Sequence, residues 1–189
     1  MTKDLQKKVI LSLGIFLFLF LSSCGGLKRE QIQRQTDHAA RRAQMELEAG
    51  EFQKAIDIYK DIYQKYPQDP MVRSGYIKTL ESIKSRGDLA FKRNNFALAG
   101  CIYGILFKNF SYVTHLSRSI SFNREVLTAK IERCKKILFE NGLEQYRSYN
   151  LNQAISIWKS ILVFDPENQE IKKAVDIAIL QSKNLEKAK

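Results

Sequence analysis

Apolar residues recur at three- and four-residue steps along most of the chain, as in Ile56, Tyr59 and Tyr63. This is the spacing of a single helix face. No stretch sustains the alternation of apolar and polar residues that a strand requires, and only three prolines interrupt the chain. The pattern therefore predicts an all-α protein from residue 28 onward.

The amino-terminal segment, up to Cys24, follows another pattern. Three lysines precede an apolar run from Val9 to Leu21, in which Ser12 is the one polar residue. This run is shorter than the roughly 20 residues that a helix needs to span a bilayer. A short apolar run behind positive charges is typical of a signal peptide. The run therefore indicates a segment that directs export and is then removed.

The end of this run, Leu21-Ser22-Ser23-Cys24, resembles the bacterial lipobox, in which a cysteine is diacylated before cleavage. The resemblance implies removal of residues 1–23, lipidation of Cys24 and a tether over 24–27. Two or more acyl chains, such as palmitate, give stable membrane attachment. Gly25 after the cysteine favours the outer membrane, with the chain facing the periplasm. The alternative is an ordinary secretory signal in which Cys24 is incidental.

Small residues and prolines recur at intervals of 12 in three segments of the helical sequence. They are Ala43, Ala55 and Pro67; Gly87 and Ala99; and Gly142, Ala154 and Pro166. Four positions after the second small residue of each segment stands an aromatic one, namely Tyr59, Tyr103 or Trp158. A small residue lets two helices cross closely, the aromatic ring fills the space beside the crossing, and proline cannot continue a helix. The spacing therefore predicts packed helix hairpins.

This pattern resembles the tetratricopeptide repeat, a helix–turn–helix unit of about 34 residues with a small residue on its first helix, Ala-x₃-Phe on its second and a closing proline. The third copy matches best, with Gly142, Ala154 through Trp158, and Pro166. The second copy has Ser111 in place of the closing proline. The resemblance implies an antiparallel helix-hairpin stack that winds into a superhelical solenoid.

The copies are spaced more widely than the roughly 34 residues of the family repeat. Ala55 and Ala99 are 44 residues apart, and Ala99 and Ala154 are 55 apart. Extending each first helix backwards accommodates most of this excess. The predicted first helices then lie near 28–49, 70–93 and 123–148. The remainder, Asn109–Phe122, is predicted to be a polar loop, which is either functional or a tolerated surface insertion.

The resulting domain organisation has three repeat-like units and a terminal helix. The units cover 28–69, 70–113 and 114–167, and the terminal segment covers 168–189. That segment alternates apolar residues with lysine, asparagine and glutamine. It is predicted to be the capping helix that covers the open end of a repeat stack.

The whole chain has a formal net charge of +11. Residues 1–23 contain three lysines and one aspartate, a net +2, so the remainder carries +9. That remainder is long enough for one domain with a real core. A basic surface favours acidic partners such as acidic proteins, lipid or lipopolysaccharide headgroups, and peptidoglycan. Export across the membrane argues against nucleic acid.

Candidate chemistry is sparse in the remaining sequence. Cys101 and Cys134 lie in apolar helical sequence, so they are either buried thiols or, in an oxidising envelope, a disulfide. His38 and His115 belong to no metal-binding or nucleophile–base spacing, and no Gly-x-Ser-x-Gly or Ser-x-x-Lys motif is present. The sequence predicts a protein that is not an enzyme and that holds no cofactor or metal.

The family resemblance also implies a partner-binding groove on the inward-facing positions of the first helices. Carried over residue by residue, these positions are Arg41, Gln44, Lys84, Asp88, Phe91, Lys92, Lys136, Phe139, Tyr146 and Arg147. Aromatic and cationic side chains are suited to protein binding. The alternative is that the aromatic residues belong to the core and the charges are merely solvated.

The two resemblances together predict a lipid-anchored periplasmic scaffold that binds an envelope protein or peptide segment. The plan is similar to that of tetratricopeptide lipoproteins that act in outer-membrane protein assembly, as pilotins of type IV pili, or as adaptors for peptidoglycan hydrolases. An alternative function is direct contact of the basic surface with peptidoglycan or lipopolysaccharide. The sequence leaves the partner and the oligomeric state open.

Overall fold

The computed structural model describes residues 29–187. The predicted signal peptide, Cys24 and the tether at 24–27 lie outside these residues. The described chain is built from helices and contains no strand. The helices are α1 at 29–48, α2 at Phe52–Lys65, α3 at Pro70–Lys92, α4 at Phe96–Asn109, α5 at Arg124–Arg147, α6 at Leu151–Phe164 and α7 at Gln169–Lys187, with a 3-10 helix at Phe110–Leu116 after α4.

Helices that follow each other in the chain pack against each other. Short turns join α1 to α2, α3 to α4 and α5 to α6, and α7 packs on α6. The second helices also meet, since α4 contacts both α2 and α6. The prediction of an all-α protein is confirmed. The predicted first helices near 70–93 and 123–148 agree with α3 and α5 to within one residue at each end, and α1 ends at residue 48, one residue before the end predicted for the helix near 28–49.

Local capping signals fix the starts of the two longest helices. The Asp69 side chain accepts two backbone hydrogen bonds in the first turn of α3. Pro70 occupies the first helical position, where the missing N–H costs no hydrogen bond. Asn123 accepts a hydrogen bond from the backbone N–H of Val126 at 2.8 Å and so caps α5. These caps explain why both helices extend further back than a repeat of ordinary length would allow.

Close crossings hold the second and third hairpins together. A Cβ atom on Gly87 would lie 2.8 Å from Cε1 of Tyr103, and one on Gly142 would collide with the indole of Trp158. Trp158 also donates its indole N–H to the backbone carbonyl of Phe139 at 3.2 Å. The missing side chains of the two glycines therefore allow the aromatic rings to lie directly on the first helices.

The first hairpin uses its aromatic residue differently. Tyr59 of α2 is buried, and it lies against Gly75 of the following helix, where an added Cβ would be 2.6 Å from Cε1 of the ring. The Tyr59 ring also stacks on Tyr76 with 6.0 Å between centroids. The predicted packing alanines are all buried, namely Ala43, Ala55, Ala99 and Ala154. The contact between Tyr59 and Gly75 therefore joins the first hairpin to the second, whereas the aromatic contacts of Gly87 and Gly142 each lie within a hairpin.

The prediction of a polar loop over Asn109–Phe122 is wrong. The segment begins with the 3-10 helix and buries the apolar side chains Phe110, Val113, Leu116, Ile120 and Phe122. Most of these residues recur at three- and four-residue steps between the serines, so the segment has an apolar face as well as a polar one. It contributes to the core of the protein.

Polar contacts attach the same segment to α3 and α2. Ser121 bonds to the carboxylate of Glu81 through its backbone N–H and, at 2.7 Å, through its hydroxyl. Arg73 donates to the Ser119 hydroxyl at 3.2 Å. The His115 ring stacks on Tyr63 of α2 with 4.8 Å between centroids. The segment therefore connects the second hairpin back to the first.

One stretch of the described chain, Phe96–Leu116, is long and apolar enough to cross a membrane by length and composition alone. It comprises α4 and the 3-10 helix, and half of it is buried inside the protein. Because α4 packs against α3, α5 and α6, this apolarity serves the core of the helical stack.

Candidate functional site

Side-chain contacts and a cavity connect the three first helices. Between α3 and α5, the Asp88 carboxylate accepts a hydrogen bond from the Lys130 ammonium at 2.7 Å. The guanidinium of Arg133 also lies over the Phe91 ring at 5.2 Å. On the other side of α3, residues of α1 and α3 line a shared cavity. We call the surface formed by α1, α3 and α5 the first-helix face.

Asp88 is the charged centre of this face. It also accepts hydrogen bonds from the Lys84 ammonium at 2.9 Å and from the Tyr103 hydroxyl at 2.7 Å. Partial burial would raise the pKa of Asp88, but the hydrogen bonds from Lys130, Lys84 and Tyr103 outweigh burial and lower the pKa to about 2. Asp88 is therefore ionised and fully engaged, and it joins α3, α4 and α5.

The three aromatic residues predicted for the groove take part in packing. Phe91 contacts the edge of Phe96 with 5.1 Å between centroids. Phe139 and Tyr146 both lie against Trp158, at 6.2 and 5.8 Å. All three are half-buried. They support the first-helix face and leave only part of each ring accessible.

The predicted groove residues that are exposed are polar. They are Arg41, Gln44, Lys92, Lys136 and Arg147. Gln44 donates to the Glu48 carboxylate at 2.8 Å, and Lys136 lies 4.0 Å from the Glu140 carboxylate. Arg41, Lys92 and Arg147 form no ion pair with any residue in the range 29–187. These three cations are therefore available to a partner.

The cavity between α1 and α3 has a volume of about 620 Å³, and we call it the α1–α3 groove. The predicted residues Arg41 and Gln44 line it, together with Met45 and Lys78, which were not predicted. Tyr59 and Thr79 form part of its floor. The sequence pattern missed Met45 and Lys78 because the pairing of α1 with α3 is a tertiary contact that sequence spacing does not specify.

A second ion cluster, also missed, lies where α5 meets the turn before α7. The Lys135 ammonium pairs with Asp165 at 2.8 Å and with Glu132 at 2.7 Å. Asn168 donates to the same Asp165 carboxylate and caps α7 by accepting from the backbone N–H of Ile171. The cluster fixes the third hairpin against the terminal helix.

Cys101 and Cys134 are free thiols, so the possible disulfide is not formed. Cys134 is fully buried, and burial raises its pKa to about 11. Burial also raises the pKa of Cys101. Since the thiolate is the reactive form of cysteine, neither thiol is activated for chemistry at neutral pH.

No group of three or more histidine, cysteine, aspartate or glutamate side chains in the described part of the chain could hold a metal ion. His38 is exposed beside a cavity of about 410 Å³ between α1 and α2, which Arg34, Arg42 and Lys65 also line. The His115 ring stacks on Tyr63, and burial together with the charge of Arg73 lowers its pKa. Neither histidine therefore belongs to a metal-binding group within the described residues.

No protein-family model, curated protein or solved structure matches the chain. Over residues 29–187, the fold defines an all-helical protein in which hairpins follow one another and a terminal helix packs on the last.

Proposed function

We propose that the protein is a non-catalytic, lipid-anchored scaffold that holds another protein at the outer membrane on its periplasmic side. The proposal combines the predicted lipidation of Cys24 with a tetratricopeptide-like superhelical solenoid over the described residues. Its partner is an envelope protein or a peptide segment of one.

The observation that carries this proposal is the first-helix face. The helices α1, α3 and α5 are connected by the Asp88–Lys130 ion pair, the contact of Arg133 with Phe91 and the shared α1–α3 groove, and these contacts support a side-by-side arrangement. This face presents exposed cations beside partly accessible aromatic rings, and arginine and aromatic residues are enriched where proteins bind one another.

Two features of the packing support the tetratricopeptide-like arrangement. The interhelical glycine–aromatic crossings at Gly87–Tyr103 and Gly142–Trp158 occur at the same sequence spacing. The second helices α2, α4 and α6 contact each other in sequence. A stack of hairpins with its second helices on one side leaves the first helices on the other as a continuous binding surface.

The test is photo-crosslinking in the native host with the full chain. p-Benzoylphenylalanine replaces Gln44 or Lys92 on the first-helix face and, as controls, Ser156 or Lys159, which are exposed on α6. Adducts to a discrete envelope protein from the first two positions, and not from the control positions, would support the scaffold. Adducts to glycan or lipid alone from all four positions would contradict it.

The anchor is tested separately by Cys24→Ser. The variant should lose acylation and, because the cysteine is diacylated before cleavage, it should also keep residues 1–23. Cys101→Ser is the matched control and should be acylated and cleaved like the original chain. Acyl labelling and cleavage that are unchanged in Cys24→Ser would contradict lipid anchoring.

Direct binding to lipopolysaccharide or peptidoglycan is a second candidate function. It is favoured by the cavity of about 410 Å³ between α1 and α2, which three cations, Arg34, Arg42 and Lys65, line together with one carboxylate, Asp61. In that case a chain without residues 1–24, which has neither the apolar run nor the lipidated cysteine, should associate with purified envelope material at low ionic strength and be released by salt, because exposed charges are screened. Association that survives concentrated salt would count against this alternative.

A further inference from the structure

The α1–α3 groove has a buried apolar floor and an exposed edge. Leu47 and Tyr59 in the floor are each only 3% exposed, whereas Met45 at the edge is 67% exposed. Gly75 lets the Tyr59 ring lie directly against the α3 backbone. A large exposed apolar side chain beside an apolar floor is typical of a surface that another molecule covers.

Both charged side chains that line the groove are cations, while the Glu48 carboxylate lies outside the lining and accepts a hydrogen bond from Gln44. Arg41 stands on the α1 wall and Lys78 on the α3 wall, and no carboxylate from the described chain lines the groove. Neither cation forms an ion pair with a residue of the described chain. Lys84 and Lys130 at the α3–α5 contact, by comparison, are paired with Asp88. Arg41 and Lys78, on the two walls of this groove, are therefore among the cations of the first-helix face that are unpaired within the described residues.

We propose that the α1–α3 groove docks an acidic segment of a partner protein, with one apolar side chain inserted against Met45 and Tyr59. This proposal rests on the proposed scaffold function and specifies the chemistry of its partner. Arg41 and Lys78 lie on opposite walls, so they match carboxylates on either side of a central apolar residue. A single phosphate of a lipid headgroup would instead require cations gathered at one point.

The dimensions of the groove agree with this occupant. Its volume of about 620 Å³ lies within the range of roughly 300 to 1,000 Å³ that holds a compact ligand. Methionine is unbranched and polarisable and adapts to different apolar shapes. Met45 therefore allows variation of the inserted side chain, while Arg41 and Lys78 select for its acidic neighbours.

The test uses the full chain in its native host, with p-benzoylphenylalanine in place of Met45. Illumination should give an adduct to another protein, and mass spectrometry should locate it in a segment rich in aspartate and glutamate around an apolar residue. The combined charge reversals Arg41→Glu and Lys78→Glu should reduce the adduct yield about tenfold, since like charges now face each other. The milder pair Arg41→Gln and Lys78→Gln should give an intermediate loss of adduct yield. This second variant keeps the test valid if the charge-reversal variant fails to fold.

Arg86→Glu combined with Arg93→Glu is the matched control. These arginines line a different cavity of about 350 Å³, next to the exposed leucines Leu89 and Leu98. The control should leave the Met45 adduct unchanged. An equal loss in the control, or no loss with either pair at Arg41 and Lys78, would overturn the proposal.

The identity of the adduct separates this proposal from the scaffold function. An adduct to a second copy of the chain, or to lipid, would overturn the acidic docking segment. If Lys92 still gave adducts to an envelope protein while Met45 and Gln44 gave none, the scaffold function would stand and this groove would not be its contact. Absence of protein adducts at every position of the first-helix face would overturn both.

Discussion

At the scale of single residues, individual glycine and aspartate residues determine how neighbouring helices pack. Gly142 is a site where the absence of a side chain is required, because the Trp158 indole occupies the space. Asp88 is a site where one carboxylate satisfies groups on three helices. The glycine could be predicted from its regular spacing to the aromatic ring. The partners of Asp88 could not, since Lys130 lies 42 residues away in the chain.

We expect Gly142→Ala to destabilise the fold by about 1 to 3 kcal/mol, because the new methyl group must displace Trp158 in a close-packed crossing. Gly104→Ala is the control, since its Cβ would lie at an ordinary 3.5 Å from Phe164. That change should be neutral or stabilising by up to about 1 kcal/mol through helix propensity. Urea denaturation of both variants measures the difference. A Gly142→Ala variant as stable as the original chain would show that the crossing is not tight.

We expect Asp88→Asn to lower stability at neutral pH by about 1 to 3 kcal/mol, since the variant loses charge-assisted hydrogen bonds. The folded pKa of about 2 is below the ordinary value of 3.8. The stabilisation by Asp88 is therefore complete above about pH 4 and is lost as the pH falls toward 2.

The measurement is chemical denaturation between pH 7 and pH 2. The difference between the original chain and Asp88→Asn should shrink over the window from about pH 4 to pH 2. Asp61→Asn is the control, because Asp61 is exposed and forms no ion pair with a described residue. A constant difference across this window would mean that the ionised form of Asp88 is not what stabilises the fold.

At the scale of elements, helix bounds were largely predictable because they depend on local signals. The regular interval between small residues, the caps at Asp69 and Asn123, and the closing prolines all act close to the positions they determine. The segment Asn109–Phe122 was misjudged because its serines dominated its composition. Its side chains make contacts with α2 and α3, and which neighbour they meet is decided by the packing of the whole stack.

The folded state of this segment is tested by Leu116→Ala. Leu116 is fully buried, so its truncation should cost about 2 to 5 kcal/mol, as for other leucines in close-packed cores. Ser117→Ala, at the exposed neighbouring position, should change stability by no more than about 0.5 kcal/mol. Equal and small effects in thermal or urea unfolding would restore the interpretation of the segment as a surface loop.

At the scale of the whole molecule, the stack is organised mainly by contacts between consecutive helices. Stability in such an arrangement is approximately a sum of units and their interfaces, so damage at one end need not reach the other. The candidate site could be predicted only in part at this scale. Arg41 and Gln44 line the α1–α3 groove as the repeat pattern implied, but their neighbours across it come from a pairing of helices that sequence spacing does not specify.

We expect Val175→Asp, which places a charge in the buried face of α7, to unfold the C-terminal end alone. Hydrogen exchange followed by mass spectrometry should show lost protection in α7 and part of α6, with α2 to α4 still protected. Lys173→Asp is the control, since Lys173 is exposed on the same helix. Loss of protection along the entire chain would show that the stack unfolds as one unit.

The apolar stretch Phe96–Leu116 has a consequence for the solubility of the chain. In the folded protein, α3, α5 and α6 cover α4, but any state that opens the middle hairpin exposes a continuous stretch of membrane-like hydropathy. Transiently exposed apolar surface of this kind drives aggregation. Variants that weaken the packing of α3 or α5 against α4 should therefore aggregate before they accumulate as unfolded monomer. The middle hairpin thus limits how much destabilisation the chain can tolerate.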